Sequence, residues 1–112
     1  MNDKERYEHI IRHYNEMLEE LKVIKNEKDE KLKELMFTKA VYMDLFQIGE
    51  HVTNLSDSIK SQINANDVRG IINIRNFIGH GYVVVRKDVI KRAIEEDCPK
   101  LIARLKELFQ LT

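Results

Sequence analysis

Leu32-Lys33-Glu34-Leu35-Met36-Phe37-Thr38-Lys39-Ala40-Val41-Tyr42-Met43-Asp44-Leu45-Phe46-Gln47-Ile48-Gly49-Glu50-His51-Val52-Thr53-Asn54-Leu55 is the stretch that sets the fold class. Its apolar residues Leu32, Leu35, Met36, Ala40, Val41, Leu45, Ile48, Val52 and Leu55 recur at steps of three and four, the period of one helical face. The pattern predicts a helix to about Ser58, with a register shift near Phe37.

Upstream, Tyr7, Ile10, Ile11, Tyr14, Met17, Leu18, Leu21 and Ile24 keep the same spacing, and Asp3 is placed to cap a first helix. Lys25 to Lys31 has almost no apolar residue and alternates charge. It is an exposed turn or a solvated helical bridge, and a turn is the preferred reading. Downstream, Asn64-Ala65-Asn66-Asp67 makes a polar break. Asn64 or Asn66 can cap a third helix carrying Ile71, Ile72, Ile74 and Ile78, which Gly79 would end. Val83 to Val85 is β-branched but has no partner run, so it reads as extended loop. A last helical stretch starts near Asp88, and Asp97-Cys98-Pro99 should kink or restart it. Met17, Met36 and Met43 read as core filler. The sum is an all-α, antiparallel bundle of four to five helices, with residues 1–112 forming a single domain.

Composition narrows the function. A chain of 112 residues suits one modest core. Charged residues make up 34% of it and cancel, so no global basic field announces nucleic acid or membrane. Cys98 stands alone and the N-terminus is not signal-like, which reads as a reduced, cytoplasmic protein. No apolar run is long enough to cross a bilayer.

The chemistry is concentrated in Arg75-Asn76-Phe77-Ile78-Gly79-His80-Gly81-Tyr82. If Gly79 closes the third helix, Arg75 lies one turn inside and His80 just past the end, where both can share one small volume. Glycines on each side of His80 would ease an abrupt turn and let a phosphate approach the main chain. Cleaving an RNA phosphodiester needs a proton taken from the 2'-hydroxyl, a proton given to the leaving oxygen, and the phosphorane charge held. Histidine suits the proton steps, typically worth about 100-fold to 10,000-fold. Arginine suits the charge, since its fork is permanently cationic and can grip two oxygens. The negative end of the helix dipole should favour protonated His80.

This stretch resembles the motif of HEPN-domain ribonucleases, in particular the HepT toxin family: Arg, four residues, His, any residue, Tyr. Arg75, His80 and Tyr82 fit it without gaps. Ile48-Gly49-Glu50 is similar to the family's Ile-Gly-Glu segment, and Glu95-Glu96-Asp97-Cys98-Pro99 to its Glu-Asp-Leu-Pro segment. Roughly residues 40 to 110 carry the likeness. Val68 stands where many relatives have tryptophan. The resemblance implies an all-helical homodimer whose two motifs face one cleft and cut single-stranded RNA without a metal or other cofactor. It implies Arg75 and His80 as the catalytic pair, with Asn76 and Glu50 in support. It implies Tyr82 as the residue that a cognate minimal nucleotidyltransferase antitoxin, of the MntA type, modifies with AMP. Arg69, Arg86 and Lys87 could add positive charge to an RNA groove doubled by a twofold axis.

Weaker signals count for less. His9 and His13 stand four apart, a metal-binding spacing, but lack a third placed ligand and read as solvated surface histidines. The Glu-x-x-His tetrad of a di-metal bundle is absent from the sequence. The rival to the nuclease is a non-catalytic module that binds nucleotide or RNA and scaffolds a nucleotidyltransferase. A bare dimerisation bundle comes third.

Overall fold

The first helix, α1 (Asp3–Asn26), begins one residue earlier than a cap at Asp3 would allow, because Asn2 supplies the cap. Asn2 Oδ1 accepts from the Glu5 backbone N at 2.8 Å. Asp3, released from that task, accepts from Ser56 instead, from its backbone N at 2.9 Å and its hydroxyl at 2.6 Å. The start of α1 is thus tied to a turn fifty-three residues away. These features belong to a computed structural model that describes residues 1–80 and 87–110.

The charged turn after α1 is present but shorter than the sequence suggests, spanning residues 27–29 before α2 (Glu30–Met36). Glu27 Oε1 accepts from the backbone N of Lys28 and of Asp29, and Asp29 Oδ1 caps α2 through Lys31 and Leu32. Two short acidic side chains are enough to close the turn. The helix α2 then passes into α3 (Tyr42–Thr53) through one wide π turn, Phe37–Val41, which is the register shift expected near Phe37. At this turn the Thr38 hydroxyl donates to the Glu34 carbonyl at 2.9 Å, competing for the helical ladder. One inserted residue rotates the apolar stripe by about 100°. Val41, Leu45, Ile48 and Val52 are therefore buried, while Leu32 and Leu35 remain 42% and 47% exposed despite matching the same stripe on paper. Met43 is corrected likewise: it is exposed, whereas Met17 is buried and Met36 half-buried.

Short of Ser58, α3 stops at Thr53. Ser56 takes an extended backbone to cap α4 (Asp57–Lys60), and Asn54 folds its amide back to the Glu50 carbonyl at 2.8 Å. A serine cap and a continuing helix cannot share a backbone, and the cap prevails. Asn64, rather than Asn66, caps α5 (Ala65–Gly79). The last rod comprises α6 (Lys87–Arg92), a π turn at Ala93–Asp97 and α7 (Cys98–Gln110). Pro99 lacks an N–H and its ring would strike the carbonyl of Glu95 in a regular helix. Widening the turn, with Cys98 N donating to the Ala93 carbonyl, removes the clash without breaking the rod.

Among the described residues the architecture is all helical, an antiparallel bundle of four rods with the short α4 as a fifth element. The run Val83 to Val85 lies outside the described residues. Helix α3 is central, packed by α1 on one side and α5 on the other, and α7 closes against both of those. Ile10, Ile48, Ile71, Ile74, Leu101 and Leu105 meet in one core. Fully burying each such side chain is worth about 1.5–3 kcal/mol. Tyr7 stacks on Phe109 with ring centroids 4.6 Å apart, joining the two ends of the chain. Cys98 is enclosed in this core, where burial pushes its thiol up to about 12. None of the described helices is long and apolar enough to cross a membrane.

His9 and His13 are half-buried rather than solvated. Because α1 lies along α3, their side of the helix is also an interface: His9 stacks on His51 at 5.0 Å, and His13 Nδ1 lies 2.9 Å from Asp44 Oδ1. Burial, followed by the adjoining Asp44 carboxyl and the charge of Glu16, pushes Glu20 up to about 8.

Candidate functional site

Helices α3 and α5 approach closely at Gly49. A methyl group there would overlap Arg75 Cβ and lie 3.0 Å from Arg75 Cγ and 3.2 Å from the Ile71 carbonyl. The missing side chain thus brings the stem of Arg75 directly onto α3. The next residue along α3 is Glu50, and the consequence is an ion pair. Arg75 Nη2 donates to both Glu50 oxygens, at 3.1 and 3.0 Å, while Nη1 donates to Asn76 Oδ1 at 3.0 Å. Phe46, one helical turn before Glu50, lies under the guanidinium at 5.6 Å from ring centroid to Cζ. Glu50 therefore reaches across the bundle to a motif side chain rather than merely facing solvent. The pair remains partly open, with Arg75 27% and Glu50 34% exposed at the side chain.

The second half of the motif sits at the end of α5. His80 is the residue that closes the helix, its backbone N donating to the Asn76 carbonyl at 3.0 Å. Its position past the helix end is the one expected. Gly79 is the last residue of α5, as expected, and is not in the left-handed region; its lack of a side chain matters because a methyl would stand 2.9 Å from Phe46 Cε2. Phe46 thus touches both halves of the motif, packing on Gly79 and underlying Arg75. The sequence reading missed it, having only a helix-period aromatic to go on.

An open groove at this end of α5 is lined by Asn73, Asn76, Phe77 and His80. These are positions i, i+3, i+4 and i+7 of one helical face. Asn73 was also missed, although that spacing could have found it. Asn76 is the link between the halves: its side chain holds Arg75 and its surface lines the groove with His80.

The remaining candidates are placed apart from the groove lining. Arg69 is exposed near the start of α5 and donates to Asn66 Oδ1 at 3.2 Å. Lys87, at the start of α6, lies 3.4 Å from Glu34 Oε2. Tyr82, Arg86 and Gly81 lie outside the described residues. The Glu95 to Pro99 segment has a packing role, since a methyl on Gly70 would stand 2.8 Å from Asp97 Oδ2. Burial there raises the Asp97 carboxyl, against the opposing charge of Arg92.

Taken together, the described residues present a fixed arginine with solvent access and a histidine at a helix end, joined by an asparagine. No curated protein matches the chain, and no solved structure does. One family model matches residues 10–108, a span that includes Glu50, Arg75 and His80: the chain belongs to the ribonuclease HepT-like family.

Proposed function

We propose that the protein is a metal-independent endoribonuclease toxin that cuts single-stranded RNA. The observation that carries this reading is the Glu50 and Asn76 clamp on Arg75, next to the groove that Asn76 and His80 share. The clamp uses Nη2 and one hydrogen of Nη1. Among the described residues a second Nη1 hydrogen is left for a phosphate oxygen, in an orientation set before substrate arrives.

In the reaction, the 2'-oxygen attacks phosphorus and the bond from phosphorus to the 5'-oxygen breaks. One imidazole takes the 2'-hydroxyl proton and one supplies a proton to the departing oxygen, leaving a cyclic phosphate and a 5'-hydroxyl. A homodimer whose motifs face one cleft provides both, with a His80 from each copy. Arg75 holds the charge that develops on the non-bridging oxygens. Unpaired RNA suits such a cleft because its nucleotides can splay. Arg69, Arg86 and Lys87 would draw the phosphate backbone toward it.

Control would come from a cognate minimal nucleotidyltransferase antitoxin that adenylylates Tyr82, two residues after His80. The added phosphate would bring negative charge and bulk to the cleft and repel RNA. Cleavage of single-stranded RNA in EDTA by the wild type, lost in Arg75→Ala and in His80→Ala, is the expected result. Equal cutting by all three would show contamination. One observation favours a second reading: Glu50 already offsets the Arg75 charge, as a module that only binds nucleotide or RNA would tolerate. RNA binding with no cutting by the wild type would select that module.

A further inference from the structure

Helices α1 and α3 meet through a polar cluster that the nuclease reading does not use. His13, Glu16 and Glu20 follow at i, i+3 and i+7 on α1 and so share one face, and Asp44 of α3 stands opposite. His13 Nδ1 is 2.9 Å from Asp44 Oδ1 and 3.8 Å from Glu16 Oε2. One potential ligand atom from each of His13, Glu16 and Asp44 lies within 4.8 Å of the others. Donors bound to a first-row divalent ion at 2.0–2.2 Å stand about 3–4 Å apart, so the widest of these separations has to close by about 1–2 Å. Glu16, 53% exposed at its side chain, has the room to do so and gives an ion a path from solvent.

A second observation points to a cation. Asp44 is only 5% exposed, yet its Oδ2 is buried with no donor among the described residues, as is Glu20 Oε1. The Glu20 carboxyl lies against that of Asp44. Carboxylate oxygens only accept, so two of them enclosed together require a proton or a metal ion between them. A proton would satisfy that pair alone. It would leave the grouping of His13, Glu16 and Asp44 without an ion.

We propose that His13, Glu16 and Asp44, with Glu20 as a further carboxylate, bind one first-row divalent ion of the Mn²⁺ to Zn²⁺ class. One imidazole among carboxylates suits that class, whereas Ca²⁺ takes six to eight oxygens. The ion is structural. Asp44 precedes Glu50 by six residues, about 9 Å along α3, and meets His13 of α1, so the ion bolts the two helices together away from Arg75.

The test strips the full-length chain with chelator, returns Zn²⁺ or Mn²⁺, and measures retained metal and thermal stability. About one ion per chain should survive gel filtration and raise Tm by at least about 5 °C at saturation. Mg²⁺ and Ca²⁺ at equal concentration should not. Glu16→Gln and His13→Gln should each weaken binding at least 10-fold, and His9→Ala should not. Glu16→Gln changes a half-exposed side chain, so its folding is not in question. No retained ion in the wild type would overturn the proposal and leave a shared proton as the occupant. Equal uptake by Glu16→Gln and His13→Gln would overturn the assignment, and an equal shift with Ca²⁺ would overturn the class.

Discussion

Helix α3 is packed on two sides by opposite chemistry. Toward α5 it offers Gly49, which lets two backbones close in, and beside it Glu50, whose charge meets Arg75 where both are still about one-third open. Toward α1 it offers Asp44, enclosed and with one oxygen lacking a donor among the described residues. The difference teaches that enclosure decides what a charge can do. A partly open pair keeps its partner oriented while leaving it within reach of an anion. A closed carboxylate needs a compensating cation or proton and serves the scaffold.

Breaking the α5 side should produce the largest effects. Arg75→Ala or His80→Ala should reduce cleavage of single-stranded RNA by about 100-fold to 10,000-fold, with Tm nearly unchanged. Activity that survives either change would remove the site from the argument. Glu50→Gln sharpens the comparison, since it keeps the shape and removes the charge. Loss of orientation at Arg75 should lower the rate by about 10-fold to 100-fold, seen in single-turnover kinetics. A gain in rate would mean that Glu50 restrains the arginine rather than aims it.

Gly49→Ala tests the close approach itself. Forcing a methyl between Arg75 Cβ and the Ile71 carbonyl should cost about 1–3 kcal/mol in urea unfolding and also disturb the arginine. The smallest effect concerns the far end of α1. The Ser56 hydroxyl, then the Ser56 backbone N, hold the Asp3 carboxyl below its ordinary value of 3.8. A lowered folded value means stability present above 3.8 and lost as pH falls through the folded value. Asp3→Asn should therefore differ from wild type near neutrality and converge with it in acid, as followed by Tm against pH.

Much of this was legible along the chain. Helix period marked the rods, the polar breaks marked their ends, and the jump near Phe37 marked the π turn, because all three arise from residues within a turn or two of each other. The motif was legible for the same reason: Arg75, Asn76 and His80 lie on one helix and its end. Errors fell where two local rules competed or where a neighbour decided. Ser56 overruled the continuation of α3, Asn2 displaced Asp3 as cap, and the π turn swung Leu32 and Leu35 out of the core. Gly79 ends its helix as read, while its packing on Phe46 came from a neighbour that no local pattern shows.

By itself the sequence determined an all-helical bundle and put an arginine and a histidine at one helix end, since the three-and-four spacing carries both facts locally. Only the tertiary structure decided that Glu50, twenty-five residues away, grips Arg75, and that Asp44, thirty-one residues away, meets His13. Periodicity says which side of a helix is covered. The partner and its distance depend on how closely whole helices approach, and that is set by side-chain volume at a few contacts such as Gly49.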